Sequence, residues 1–175
     1  DTLLGCVWHS DAPPAGKFAC SDELVNRIMR NILWTQRGNL RSVLSDNPQR
    51  DERMGWSGDA QVFSQTSMFN MDMAAFFSKW VVDFRNGQTH NGMFPVVVPP
   101  HSAQPTPLPP KQTASSSAAS GAIAPKDDPG VVTAAWMDAG MVLPWRMYVN
   151  YGDRRMLEEH YEAAKRWIAF VERKS

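Results

Sequence analysis

The sequence predicts an all-α protein built from helical hairpins. Apolar residues recur at three- and four-residue steps in five separate stretches. Ser or Asp stands where those stretches would begin, and Gly where several of them would end. The second and third stretches are joined so tightly that antiparallel packing of their helices is the expected result.

Taken in order, residues 1–20 read as an extended lead-in. LLGCVW is a short apolar run of strand character, and HSDAPPAG supplies turn chemistry. A lone strand here would have no partner within the chain. Ser21 is the expected N-cap of a first helix over about 22–37, with Asp22 and Glu23 complementing the positive end of its dipole. Leu24, Ile28 and Ile32 repeat every four residues, as do Val25, Met29 and Leu33, so the helix carries a broad apolar stripe. Gly38 lies near its end. Asp59 or Ser57 caps a second helix, Ala60 to about Phe69, expected to bury Val62, Phe63 and Met68. Asp72 caps a third, running through Ala74, Phe76, Phe77, Trp80, Val81 and Phe84 to Asn86-Gly87, and its aromatics read as core.

From about residue 87 to 130 the helical pattern lapses. NGMFPVVVPP is extended, and the Pro/Ser/Ala-rich stretch after it buries too little to offset its ordering entropy. A mobile loop or insertion is expected, either a lid or a surface excursion. Thr133–Asn150 is a fourth helix, with Trp136, Ala139, Leu143 and Met147 on one face. Gly140 inside it costs about 1 kcal/mol against Ala, and Pro144 is expected to kink or break it. Gly152-Asp153 separates it from a fifth helix, about 154–173. The expected buried face there is Met156 or Leu157, Tyr161, Ala164, Trp167, Ile168 and Phe170 or Val171.

At 175 residues, 43% hydrophobic and 21% charged, the chain is long enough for one domain with a core. Its formal net charge is zero, so no basic field draws it to nucleic acid or an anionic membrane. No apolar run approaches membrane-spanning length. Cys6 and Cys20 make no disulfide framework; free thiols are expected, and they assign no compartment. The start at Asp1, without Met or a charged-then-apolar leader, suggests a processed product or a piece of something larger. His9, His90, His101 and His160 have neither HExxH spacing nor a Cys cluster, so no metal site is expected. GWSG is not a nucleophile elbow, because its second glycine comes one residue too soon.

The stretch Ser45–Asp59, SDNPQRDERMGWSGD, looks least like scaffold. It sets Asp46, Asp51, Glu52 and Asp59 against Arg50 and Arg53, with Trp56 between Gly55 and Gly58. Carboxylates for proton transfer, arginines to orient them and an aromatic face suit a sugar-processing site. Asp46 and Asp51 would raise the pKa of Glu52, whereas Arg50 and Arg53 would lower it, and the sequence leaves the balance open.

The segment SDNPQRDERMGWSGDAQVFSQTSMFNMD resembles the signature of the bacterial α-L-rhamnosidases, glycoside hydrolases of the six-hairpin (α/α) barrel class. The likeness extends upstream through HSDAPPAGKFACSDELVNRIMRNILWTQRGN and downstream through FFSKWVVDFRNGQTHNGMFP, AAWMDAGMVLPW and YGDRRMLEEHYEAAKRW. It implies that residues 21–175 form part of an (α/α)6 barrel and that residues 1–20 leave a preceding β-sandwich. It further implies an inverting, cofactor-free hydrolase of terminal α-L-rhamnosides. Glu52 matches the general acid. Asp46 and Asp59 would bind ring hydroxyls, Arg50 would hold that network, and Trp56 and Trp136 would pack on the sugar. Asp51, Arg53 and Asp138 would support them. No segment matches the family's catalytic base, and Val96 stands where the family commonly carries Asp. The chain therefore reads as the acid half of a site, a poor catalyst alone, in a protein whose partners are rhamnosides and the remaining barrel and sandwich domains. The alternative is a non-catalytic sugar-binding or helical interaction module.

Overall fold

A computed structural model describes residues 2–47, 49, 51–100 and 134–175. Its helices are α1 (Glu23–Asn39), α2 (Ser57–Asn70), α3 (Ala74–Asn86), α4 (Ala134–Met137), α5 (Ala139–Tyr151) and α6 (Arg154–Lys174). Among the described residues there are isolated bridges but no strand of a sheet. Most of the expected proline-rich excursion lies outside the described residues.

α1 begins one residue later than its sequence suggests. Asp22, not Ser21, is the cap, its carboxylate accepting from the Leu24 and Val25 N–H groups at 2.8 and 3.3 Å. The apolar stripe of this helix is largely exposed at Leu24, Val25 and Ile28. Its buried positions are instead polar. Gln36 donates to the Ser67 carbonyl at 3.1 Å and accepts from Asn70 Nδ2 at 2.9 Å, fastening α1 to α2. Buried amides satisfied in this way fix one register between the two helices, because any other leaves them unpaired.

The short link Met71–Met73 turns the chain between α2 and α3 without laying the two helices side by side. Both pack chiefly against α5, which also packs on α6. The link itself is anchored by Asp72, whose N–H donates to the Pro13 carbonyl and whose carboxylate accepts from Ala74 N–H. Ala15 N–H donates to Asn70, so residues 10–16 of the lead-in are pinned across the helix ends. On α2 the buried face is Ser57, Ala60, Ser64, Ser67 and Met68, and Val62 points to solvent. Ser64 Oγ accepts from Arg146 and Gln65 donates to Asn150 Oδ1 at 2.9 Å, which ties α2 to α5. Val62, expected inside, sits on the opposite side of the turn.

α3 delivers Phe76, Phe77, Trp80, Val81 and Phe84 to the core as its period predicts. The aromatic row continues beyond it. Trp80 meets Phe84 edge-on at 5.4 Å, Phe84 meets Phe94 at 6.2 Å, and Phe94 meets Trp167 at 5.9 Å. Phe94 lies in NGMFPVVVPP, read as extended at the start of the expected loop. Residues 88–98 are instead built into the core, with Gln88, Met93, Phe94, Val97 and Val98 buried. Gln88 satisfies this stretch by donating to the carbonyls of Gly92 and Ala163, both at 2.9 Å.

The expected fourth helix is two pieces, divided at Asp138 rather than at Pro144. Pro144 is buried within α5, which continues past it. Gly140 earns its place nearby: a Cβ there would lie 2.5 Å from the Phe94 ring. The propensity cost of this glycine is offset by an aromatic ring in van der Waals contact with the helix backbone. Gly152, at φ +70°, ends α5 in the left-handed conformation, and Asp153 caps α6 by accepting from Met156 N–H at 3.1 Å.

The buried face of α6 is Met156, His160, Ala163, Trp167 and Phe170. Tyr161 and Ile168, expected inside, are exposed, and His160 takes the central place. Its ring stacks on Phe94 at 5.5 Å and 11°. Neither ring nitrogen has a hydrogen-bond partner of good geometry among the described residues. Burial pushes its pKa down to about 4; the Gly140 backbone partly offsets this, and Arg85 and Arg166 deepen it. His160 is therefore neutral in the fold. An unfolded chain binds the proton first as pH falls below about 6.5, so stability present above that value is lost between about 6.5 and 4. The expected loss is about 3 kcal/mol. Urea midpoints at pH 7 and pH 4 check it: the His160→Phe chain should lose correspondingly less, and an unchanged difference would remove His160 from the account.

Candidate active site

Everything in the Ser45–Asp59 stretch depends on how its end is fastened. Ser57 N–H donates to the Val96 carbonyl and Val98 N–H donates to the Gly55 carbonyl, both at 2.9 Å. This is one rung pair of an antiparallel ladder, the Trp56–Val97 bridge. Trp80 Nε1 donates to the Val98 carbonyl at 3.1 Å, so the ladder rests on the aromatic core. A side chain at Gly55 would collide with that carbonyl at 2.2 Å. The site loop is thus bolted to core backbone at 96–98.

At its other end, Asp46 N–H donates to the Met54 carbonyl at 3.0 Å, which closes the loop on itself. Between these ties, Trp56 Nε1 donates to Glu52 Oε1 at 2.7 Å. Both side chains are half-buried. The indole thereby holds the carboxyl group in one orientation, a charge-assisted contact when Glu52 is ionised. Arg53, exposed, takes φ +49°, in the left-handed region, so the backbone bends sharply beside Glu52.

Asp46 and Asp59 line one cavity of ≈ 180 Å³ together with Gln36, Asn39, Ser45 and Phe63. The cavity lies between the end of α1 and the start of α2. Asn47 donates to Asp46 Oδ2 from within the same loop. The Gln36 amide is already engaged between α1 and α2, so the two carboxylates are the groups that can accept hydrogen bonds from the hydroxyls of a polyhydroxylated ring.

Trp136, at the end of α4, is 37% exposed and its ring lies over Gly58. Its carbonyl accepts from Ser57 Oγ at 2.8 Å. Asp138 faces the other way and accepts from Trp167 Nε1 at 3.1 Å, which ties the helix break to α6. The structure therefore brings together Asp46 with Asp59, Glu52 with Trp56, and Trp136 with the Ser57-Gly58 turn. Asp51 is an exposed residue of the same loop. Arg50 lies outside the described residues. Ser57 and Gly58 have a part that the sequence did not disclose beyond Ser57 as a possible helix cap. Their small size next to Trp56 was the only local signal. Among the described residues no three His, Cys, Asp or Glu side chains converge to hold a metal ion, and no helix is long and apolar enough to cross a membrane.

Residues 13–175 match the model of the bacterial alpha-L-rhamnosidase 6 hairpin glycosidase domain. The chain belongs to this family. An alpha-L-rhamnosidase of Formosa agariphila is 38% identical over 169 residues, covering 95% of the chain and 15% of the relative. The solved alpha-L-rhamnosidase of Dictyoglumus thermophilum superposes with a TM-score of 0.75 at 37% identity, covering 94% of this chain and 16% of that one. The Streptomyces avermitilis alpha-L-rhamnosidase, solved with L-rhamnose, gives 0.76 at 35% identity, covering 95% and 14%. The rhamnosidase likeness is thus one of sequence and of backbone, and the helices described above are part of a six-hairpin barrel. The chain spans only 14–16% of the curated rhamnosidases it matches.

Proposed function

We propose that the protein carrying this chain releases terminal α-L-rhamnose from rhamnosides by a single inverting displacement, with Glu52 as general acid. Residues 21–175 are the acid-bearing part of its barrel, and residues 1–20 lead in from a β-sandwich. The observation that carries this reading is the Trp56–Glu52 hydrogen bond at 2.7 Å, which presets a carboxyl group in the same loop whose Asp46 lines a cavity with Asp59. The rhamnose-bound Streptomyces avermitilis relative supports the choice of sugar.

In this mechanism Glu52 gives its proton to the glycosidic oxygen as the C1–O bond breaks, and the leaving alcohol departs neutral. A water on the opposite face loses its proton to a second carboxylate and attacks C1. Asp46 and Asp59 accept hydrogen bonds from ring hydroxyls, and Arg50 steadies that network. Trp56 and Trp136 present apolar surface to a ring that carries a methyl group. Asp51 and Arg53 flank the acid in the loop and support it, and Asp138 holds the Trp136 segment from behind. No cofactor is required.

The second carboxylate comes from outside this chain. Glu158, Glu159 and Glu162 on α6 are exposed and paired with Arg154, with Arg85 and Arg155, and with Lys165. They serve the helix surface rather than the cavity. Inversion makes a definite prediction for the full-length protein. Proton NMR during hydrolysis of an α-L-rhamnoside should show β-L-rhamnose forming first, followed by mutarotation. An α-anomer formed first would demand a retaining mechanism, and binding of rhamnose without hydrolysis would favour a sugar-binding module.

A further inference from the structure

We infer that Ser57 and Gly58 are positioning residues for the sugar pocket, acting through Trp136; the inference rests on the reading of Trp136 as a pocket wall. Ser57 is fully buried and its hydroxyl oxygen lies 2.8 Å from the Trp136 carbonyl and 2.9 Å from the Val96 carbonyl. A hydroxyl carries one proton. The Ser57 N–H already ties the Val96 carbonyl at 2.9 Å, and the hydroxyl proton goes to its shorter contact, the Trp136 carbonyl. Ser57 thereby uses its backbone to hold the 96–98 ladder and its side chain to hold α4.

Gly58 completes the seat. A Cβ there would stand 2.8 Å from the Trp136 ring, so the indole rests directly on the first turn of α2. Trp56 precedes this pair and Asp59 follows it. Four consecutive residues therefore contribute a partner for the acid, a hydroxyl tether, a flat seat and a cavity carboxylate. Trp136 sits on a four-residue helix, which is too short to hold its own orientation. Its direction is set by the seat, and the geometry of the sugar wall is decided from α2.

The test uses the full-length protein and separates positioning from folding. Ser57→Ala keeps the N–H bond to Val96 and removes the tether alone. It should raise KM for an α-L-rhamnoside by about tenfold, the worth of one buried hydrogen bond, while kcat changes far less. Gly58→Ala keeps the hydroxyl but lifts the indole, and should show the same split. Hydrogen exchange at residues 134–138 should quicken in both variants, a readout independent of activity. Adding Ser57→Ala to Trp136→Ala should leave KM where Trp136→Ala alone puts it, because the tether acts through that ring. A kcat loss with unchanged KM in soluble Ser57→Ala and Gly58→Ala, or full additivity with Trp136→Ala, overturns the inference. If Trp136→Ala itself leaves KM unchanged while exchange at 134–138 still quickens in Ser57→Ala, the tether stands and the reading of Trp136 as a sugar wall fails instead.

Discussion

Replacing Glu52 by Gln in the full-length protein should lower kcat on alkyl α-L-rhamnosides by about 10²–10⁴-fold, the usual worth of a positioned general acid. Gln keeps the shape of the side chain, and its amide oxygen still accepts the Trp56 indole N–H that holds Glu52 at 2.7 Å. What it loses is the proton. Binding of L-rhamnose, measured by calorimetry, should therefore change little. The loss should shrink markedly on a dinitrophenyl rhamnoside, whose leaving group departs as an anion without help. Equal loss on both substrates would mean that the change disturbs binding or geometry, and undiminished turnover would strike Glu52 from the role of acid. Glu52→Ala is a poorer probe, because it also releases Trp56.

Removing the Phe94 ring should have the largest effect on stability. Phe94 is fully buried and touches Phe84, Trp167 and the face of His160, with the Gly140 backbone against its ring. Phe94→Ala deletes a ring that joins α3, α5 and α6, and such truncations cost about 3–5 kcal/mol. The cavity cannot collapse easily, because the Gly140 backbone and the His160 ring on either side belong to separate helices. Water entering it would also solvate His160 and move its pKa back up from about 4. Urea unfolding at pH 7 measures the first effect, and a histidine titration by NMR measures the second. A loss under about 1 kcal/mol would show that residues 88–98 lie on the core without forming part of it.

Residues 88–98 also show where sequence reading stops. NGMFPVVVPP has no helical period and adjoins a proline- and serine-rich run, so by local pattern it belongs with that run. Its order comes from elsewhere: the Gln88 amide bonded to Gly92 and Ala163, the Phe94 ring on Gly140, and backbone rungs to Gly55 and Ser57. Apart from Gly92, none of these partners is a neighbour in sequence. The same reason explains Val62 and Tyr161. Both sit at plausible helical spacing, but which side of a helix is buried depends on where α5 and α3 lie.

The sequence by itself determined the helical class, the places of α1, α2, α3 and α6, and the family, because caps, periods and the PQRDERMGWSGDAQ string are local properties. Composition set apart the Ser45–Asp59 stretch as a whole, and the resemblance pointed within it to Glu52, Trp56, Asp46 and Asp59. Only the tertiary structure decided that Glu52 is held by Trp56, that Asp46 and Asp59 share a cavity, and that Trp136 rests on Gly58. It also decided that a histidine lies buried against Phe94. Those outcomes depend on pairs distant in the chain or on how a loop closes. Burial and hydrogen-bond satisfaction are settled between such partners, not within either one.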